Sequence, residues 1–181
     1  MVSDFRKKKY MHVFNKFFDT NKDGTVDKKD FSEANANLAK LRGYAPGDVT
    51  YELMKELLTN LWDGLVKQAD TDGDGVINAE EWVKLWDEYA KNPSAAAEWQ
   101  QLYCKCVFQL EDASNDGAID ANEYANVYES FGLDKNQSLE AFKKMAKGKD
   151  TINWEEFQEL WKQYFASDNP DDAGNFIFGI I

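Results

Sequence analysis

Three twelve-residue segments share one spacing of oxygen-bearing side chains: Asp19–Asp30 (DTNKDGTVDKKD), Asp70–Glu81 (DTDGDGVINAEE) and Asp112–Glu123 (DASNDGAIDANE). In each, oxygens stand at positions one, three, five, nine and twelve, Gly at six and a branched apolar residue at eight. Side chains at alternate positions converge on one point only where the chain coils tightly. Gly24, Gly75 and Gly117 permit that coil because they carry no Cβ. The spacing offers Asp19, Asn21, Asp23, Asp27 and Asp30 in the first segment. It offers Asp70, Asp72, Asp74, Asn78 and Glu81 in the second, and Asp112, Ser114, Asp116, Asp120 and Glu123 in the third. The backbone carbonyls of Thr25, Val76 and Ala118 complete the sets at position seven.

An all-oxygen set of this size suits a hard cation that takes six to eight oxygens, which is Ca²⁺. The spacing is that of the EF-hand loop, and three occurrences flanked by amphipathic helical patterns make chance an inadequate explanation. Three calcium sites are expected. Val26, Ile77 and Ile119 at position eight should point inward and join neighbouring loops through short antiparallel pairing. The loops differ at position twelve. Glu81 and Glu123 can reach an ion with both oxygens, whereas Asp30 is one methylene shorter. A tighter shell with fewer oxygens suits Mg²⁺, so Asp19–Asp30 reads as a mixed Mg²⁺/Ca²⁺ site. A fourth loop aligns over Met145–Glu156 but places Met145, Lys147 and Lys149 at the first three ligand positions and Asp150 at the turn. It should serve structure, setting Ile152 against Ile119.

The net charge is −12, which argues against a nucleic-acid partner. Four carboxylates at the ligand positions of each loop supply much of that charge, and three divalent ions would halve the net value. A hydrophobic share of 43%, with 12 Phe, 8 Tyr and 6 Trp, provides ample core for one domain or two small lobes. Cys104 and Cys106 are two apart on one helix and cannot bridge each other, so a reducing, cytoplasmic setting is expected. No apolar run reaches the length of a membrane span, and the N-terminus lacks a signal-peptide core.

Taken in order, Ser3 should cap a helix running to about Phe18, with Arg6–Lys9 forming its solvated basic start. The helix leaving the first loop should end at Gly43, and Tyr44–Val49 reads as a loop. A long helix then carries Leu53, Met54, Leu57, Leu58, Leu61, Trp62, Leu65 and Val66 as one broad apolar stripe, the mark of a buried face. Pro93 breaks the chain in Lys91–Ser94, and Ser94 should cap the next helix. Ser138 should open the helix before the fourth loop. Eight helices in four units result. They divide into a pair over residues 1–92, a pair over 93–167, and an apolar tail over 168–181 packing between the lobes. The four-residue break is too short for a free connector, so the expected fold is all-α, two packed pairs of helix–loop–helix units in one compact globule. The tail can be a fixed filler of the seam or a plug released by calcium.

Three intact loops, a degenerate fourth, the short break and this tail resemble the invertebrate sarcoplasmic calcium-binding proteins. The tracts LWDGLVKQAD, EYANVYESFG, LWKQYFASDN and AGNFIFG resemble the calexcitin members most closely. The resemblance implies a compact EF-hand globule and either a soluble Ca²⁺/Mg²⁺ buffer or a neuronal calcium sensor acting on a membrane channel. It also implies GTP binding, yet the chain has no GxxxxGK[ST] loop, so no nucleotide site is expected.

Two roles stay open on the residues. A sensor would expose an apolar groove to a protein target, but four Met and an aromatic core favour a buffer. Photoproteins of the same superfamily oxidise a luciferin in a pocket containing His. Here His12 is the only histidine, and no nucleophile–base pairing is visible, so no enzymatic activity is expected. The chain is expected to be a monomer.

Overall fold

Asp27, Asn78, Asp120 and Asn153 occupy position nine of the four loops, and each caps the helix that follows. Each side chain accepts from the backbone N–H three residues on, where Asp30, Glu81, Glu123 or Glu156 reaches back to the cap's own N–H. This reciprocal arrangement satisfies two of the donors that a helix start leaves free. Loop positions nine and twelve therefore fix where four of the helices begin.

The computed structural model describes all 181 residues, Met1–Ile181. The helices are α1 (Asp4–Val13), α2 (Lys28–Arg42), α3 (Val49–Ala69), α4 (Ala79–Lys91), α5 (Glu98–Glu111), α6 (Ala121–Ser130), α7 (Lys135–Ala146) and α8 (Trp154–Ala166). Four short strands lie within the loops: β1 (Thr25–Val26), β2 (Ile77–Asn78), β3 (Ala118–Asp120) and β4 (Thr151–Asn153). β1 pairs antiparallel with β2, placing Val26 opposite Ile77; β3 pairs with β4, placing Ile119 opposite Ile152. All four side chains are buried. The all-α, four-unit fold expected from the sequence is the one observed.

One core of 34 buried residues runs through both halves. Trp86 of α4 stacks on Phe165 of α8, with ring centroids 3.8 Å apart. The Tyr10 hydroxyl of α1 donates to the Phe165 carbonyl at 2.5 Å, and the Tyr164 hydroxyl donates to the Lys9 carbonyl at 2.8 Å. Gly64 lets α3 close on α5, since a Cβ there would fall 2.3 Å from Cβ of Trp99.

Several local expectations are corrected. Ser3 caps α1, accepting from the Arg6 N–H at 3.1 Å, but the α-helix stops at Val13 and Phe14–Phe18 forms a wider π turn. The basic run is only partly solvated: Lys7 and Lys8 are exposed, Arg6 is half-buried and Lys9 is buried. Lys9 has no exposed surface. Its Nζ donates to the Ser167 carbonyl at 2.8 Å, Asn175 Oδ1 at 3.0 Å and the Gln163 carbonyl at 3.4 Å. Arg6 pairs with Asp87 and Asp168, both at 3.2 Å. Ser94 lies in a short 3₁₀ turn, and α5 starts later, where Gln100 Oε1 accepts from the Ala97 N–H at 2.9 Å. Asp134, not Ser138, caps α7 by accepting from the Gln137 N–H at 2.9 Å. The stripe on α3 is buried only from Leu61 onward; Leu53 is 60% exposed, and Met54, Leu57 and Leu58 are half-buried.

The tail touches both halves. Ile177 and Phe178 are buried, while Ile180 remains exposed. The Phe178 ring lies against Phe17 of the π turn and Trp161 of α8. Its carbonyl accepts from His12 Nε2 at 2.9 Å. Tyr124 donates to the Phe176 carbonyl and accepts from the Gly179 N–H at 2.8 Å. Tyr128 lies 2.9 Å from the Ile177 carbonyl and 2.5 Å from Glu111 Oε1. One hydroxyl proton cannot serve both acceptors. Burial pushes the Glu111 carboxyl up to about 8 against the Tyr128 hydrogen bond. A protonated Glu111 donates to Tyr128, leaving Tyr128 to donate to Ile177.

Candidate metal centres

The first three loops coil in the same way around their first carboxylate. Asp19 accepts from the N–H groups of Asp23 at 3.1 Å and Gly24 at 3.0 Å. Asp70 accepts from Gly73 at 2.7 Å and Gly75 at 3.0 Å. Asp112 accepts from Asp116 at 3.1 Å and Gly117 at 3.0 Å. The glycines carry φ of +86°, +84° and +89°, values that a Cβ would strain. Position-five carboxylates turn over the next residues: Asp23, Asp74 and Asp116 accept from the N–H of Thr25, Val76 and Ala118.

The position-twelve carboxylates close the loops. Glu81 uses one oxygen for the Thr71 N–H at 2.9 Å and the other for the Asn78 N–H at 3.2 Å. Glu123 does the same with Ser114 at 2.8 Å and Asp120 at 3.0 Å. Asp30 reaches Thr20 at 3.1 Å and Asp27 at 2.9 Å despite its shorter stem. It is almost fully buried, and burial raises its carboxyl above the usual range.

The donor chemistry fits a divalent cation. Carboxylate oxygens of Asp70, Asp72 and Asp74 lie within 4.8 Å of one another. The Asp74 N–H lowers Asp72, but desolvation and the charges of Asp74, Glu81 and Asp70 outweigh it and raise its carboxyl. None of the twelve loop carboxylates takes part in an ion pair. The remaining position-three side chains stand in the same loops: Asn21 Oδ1 accepts from the Asp23 N–H at 2.9 Å, while Ser114 is exposed. The fourth loop differs in kind. The Lys149 ammonium pairs with Glu156, the residue that would otherwise close a cation site, and Met145 is buried.

His12 does not line the large cavity between the halves. Its ring is tied to the tail, and burial lowers its pKa. No helix is long and apolar enough to cross a membrane. Neither cysteine is bridged; Cys104 is buried and Cys106 half-buried.

Paired helix–loop–helix units joined by loop-to-loop strands define an EF-hand protein. The EF hand family model matches residues 16–33 and 67–86, which span the first two loops. Calexcitin-1 of Caenorhabditis elegans is 34% identical over 188 residues, covering 99% of this chain and 89% of that protein. Sarcoplasmic calcium-binding proteins I, III, and IV of Branchiostoma lanceolatum are 28% identical, covering 98% of both. The solved sarcoplasmic calcium-binding protein from amphioxus superposes with a TM-score of 0.83 at 26% identity, covering both chains completely. The chain belongs to the calexcitin and sarcoplasmic calcium-binding protein family.

Proposed function

We propose that the chain is a calcium-binding protein that holds three Ca²⁺, one in each of Asp19–Asp30, Asp70–Glu81 and Asp112–Glu123. The ligands are the side chains at positions one, three, five, nine and twelve and the carbonyls of Thr25, Val76 and Ala118. One observation carries the reading. Twelve clustered carboxylates have no cationic partner, whereas the one degenerate loop brings its own ammonium, Lys149. A bound divalent ion supplies charge neutralisation and draws the loop oxygens into one shell. The family relationship supports the same reading. The first site takes Mg²⁺ at low calcium, because Asp30 cannot offer two oxygens as readily as Glu81 or Glu123.

The working role is that of a cytoplasmic, monomeric buffer. A core shared by both halves, and a tail hydrogen-bonded to α1 and α6, oppose the lobe opening that a sensor needs. With His12 committed to the Phe178 carbonyl, we assign no catalytic role. Isothermal titration of metal-stripped protein in millimolar Mg²⁺ tests the reading. Three equivalents of Ca²⁺ are expected, with Mg²⁺ weakening one site more than the other two; fewer than two equivalents overturns it. Hydrogen exchange separates the roles. A buffer keeps Ile177–Gly179 amides equally protected with and without Ca²⁺, whereas a sensor deprotects them on binding.

A further inference from the structure

A cavity of about 390 Å³ opens between α2, α3, α5 and α6, and 20 of its 25 lining residues are hydrophobic. It reaches from Tyr44, which is 38% exposed, to the buried Phe178 of the tail. It accounts for the partly uncovered first half of α3, because Met54, Leu57 and Leu58 line this space. The exposed large hydrophobic residues outside the chain termini are Leu41, Tyr44, Val49 and Leu53. All four fall between the last turn of α2 and the first turns of α3.

Size selects among occupants. Small-ligand pockets run to about 300–1,000 Å³. The cavity falls at the lower end of that range, which suits a slender small ligand. Charge selects the head group. Arg42 is the only basic residue lining the cavity. It gives one N–H to the Leu110 carbonyl and has no carboxylate partner, leaving further donors of its planar fork available. The acidic lining residues, Asp30 and Asp112, are turned to N–H groups of their own loops.

We infer that this cavity binds a medium-chain fatty acid, with its hydrocarbon among Leu57, Leu58, Leu61 and Phe31 and its carboxylate at Arg42. The bidentate geometry of a guanidinium matches a carboxylate, and the apolar walls match an unbranched chain. The cavity borders the first and third loops through Asp30, Asp112, Ala113 and Asn115, but Leu57, Leu58, Leu61, Phe31 and Arg42 are not among the cation ligands.

Calorimetric titration of the full chain with laurate, dodecanol and dodecylammonium, each below its solubility limit or micelle concentration and at a Ca²⁺ level that does not precipitate laurate, tests the assignment. One saturable laurate per chain is expected, with dodecylammonium at least tenfold weaker. Arg42→Gln should weaken laurate about tenfold and leave dodecanol unchanged. Leu58→Trp should fill the space and abolish binding of laurate and dodecanol, with helix content by circular dichroism unchanged. If Leu58→Trp fails to fold, Met54→Trp at the half-buried edge serves, and contacts from the laurate methyl to the Phe31 ring, seen by NMR, locate the ligand. Unsaturable uptake, equal affinity for laurate and dodecylammonium, or Arg42→Gln binding laurate as the native chain does would overturn the inference. Binding of dodecanol alone would likewise reject a carboxylate ligand.

Discussion

Ile119 of the third loop stands opposite Ile152 of the degenerate loop across the β3–β4 ladder, and neither side chain has more than a trace of exposed surface. The fourth loop thus supports the third through apolar packing and strand hydrogen bonds, without ligands of its own. Ile152→Ala should destabilise the protein by about 2–4 kcal/mol, the usual cost of a buried Ile-to-Ala cavity. It should also weaken Ca²⁺ at Asp112–Glu123 while sparing the other two sites. Denaturant unfolding and calcium titration of the variant measure both effects; unchanged affinity at the third loop would separate the two loops energetically.

Asp30 closes the first loop from a shorter stem than Glu81 or Glu123. Asp30→Glu should raise Ca²⁺ affinity there by roughly tenfold and lower Mg²⁺ affinity, since the longer side chain offers a second oxygen to a larger shell. Competition titrations of the two ions against the native chain read the change. A fall in calcium affinity would mean that the buried pocket around Asp30 cannot accommodate the extra methylene.

Glu123→Gln should remove one calcium equivalent and leave two. The amide keeps an oxygen for only one of the Ser114 and Asp120 N–H groups and loses the charge and the second carboxylate oxygen, so roughly tenfold or greater weakening at that site is expected. The matching change in the fourth loop, Glu156→Gln, should alter no stoichiometry. Equilibrium dialysis distinguishes the two.

Lys9 ties the first helix to the tail. Lys9→Met should cost about 3 kcal/mol, because it leaves the Ser167 carbonyl and Asn175 Oδ1 without a charged donor. The effect depends on pH. Burial depresses the Lys9 pKa from 10.5 to about 8 in the folded chain, against the opposing charges of Asp168 and Asp172, while Arg6 adds to the depression. Between those values the unfolded chain binds the extra proton, so this group's stability contribution rises with pH and is complete above the unfolded pKa. It is lost as pH falls through about 8. Native stability should therefore gain on the Met variant by up to about 1.4 kcal/mol per pH unit in that window. Chemical unfolding at several pH values checks the slope; parallel curves would remove Lys9 from the account.

The loops were legible because everything they need is local. Twelve consecutive residues contain the first carboxylate, the turn glycine, the inward Ile or Val and the helix cap. The strand register followed from the same position eight. Lys9 was not legible, since its acceptors lie more than 150 residues away and a basic run on paper carries no sign of them. The α3 stripe was legible as a face, but periodicity cannot say whether another helix covers it; here a cavity does over half its length. Ser138 and Asp134 both qualify as caps by residue type, and packing chose Asp134 by burying Ser138 within the helix. Nothing in the spacing of Phe14, Phe17 and Phe18 signalled the wider turn that aims them into the seam.

The most direct measurement is anomalous diffraction from crystals grown in saturating calcium. The account predicts three peaks, enclosed by Asp19–Asp30, Asp70–Glu81 and Asp112–Glu123, and none beside Lys149 and Glu156. A peak within Met145–Glu156, or no peak in any two of the other loops, would contradict it.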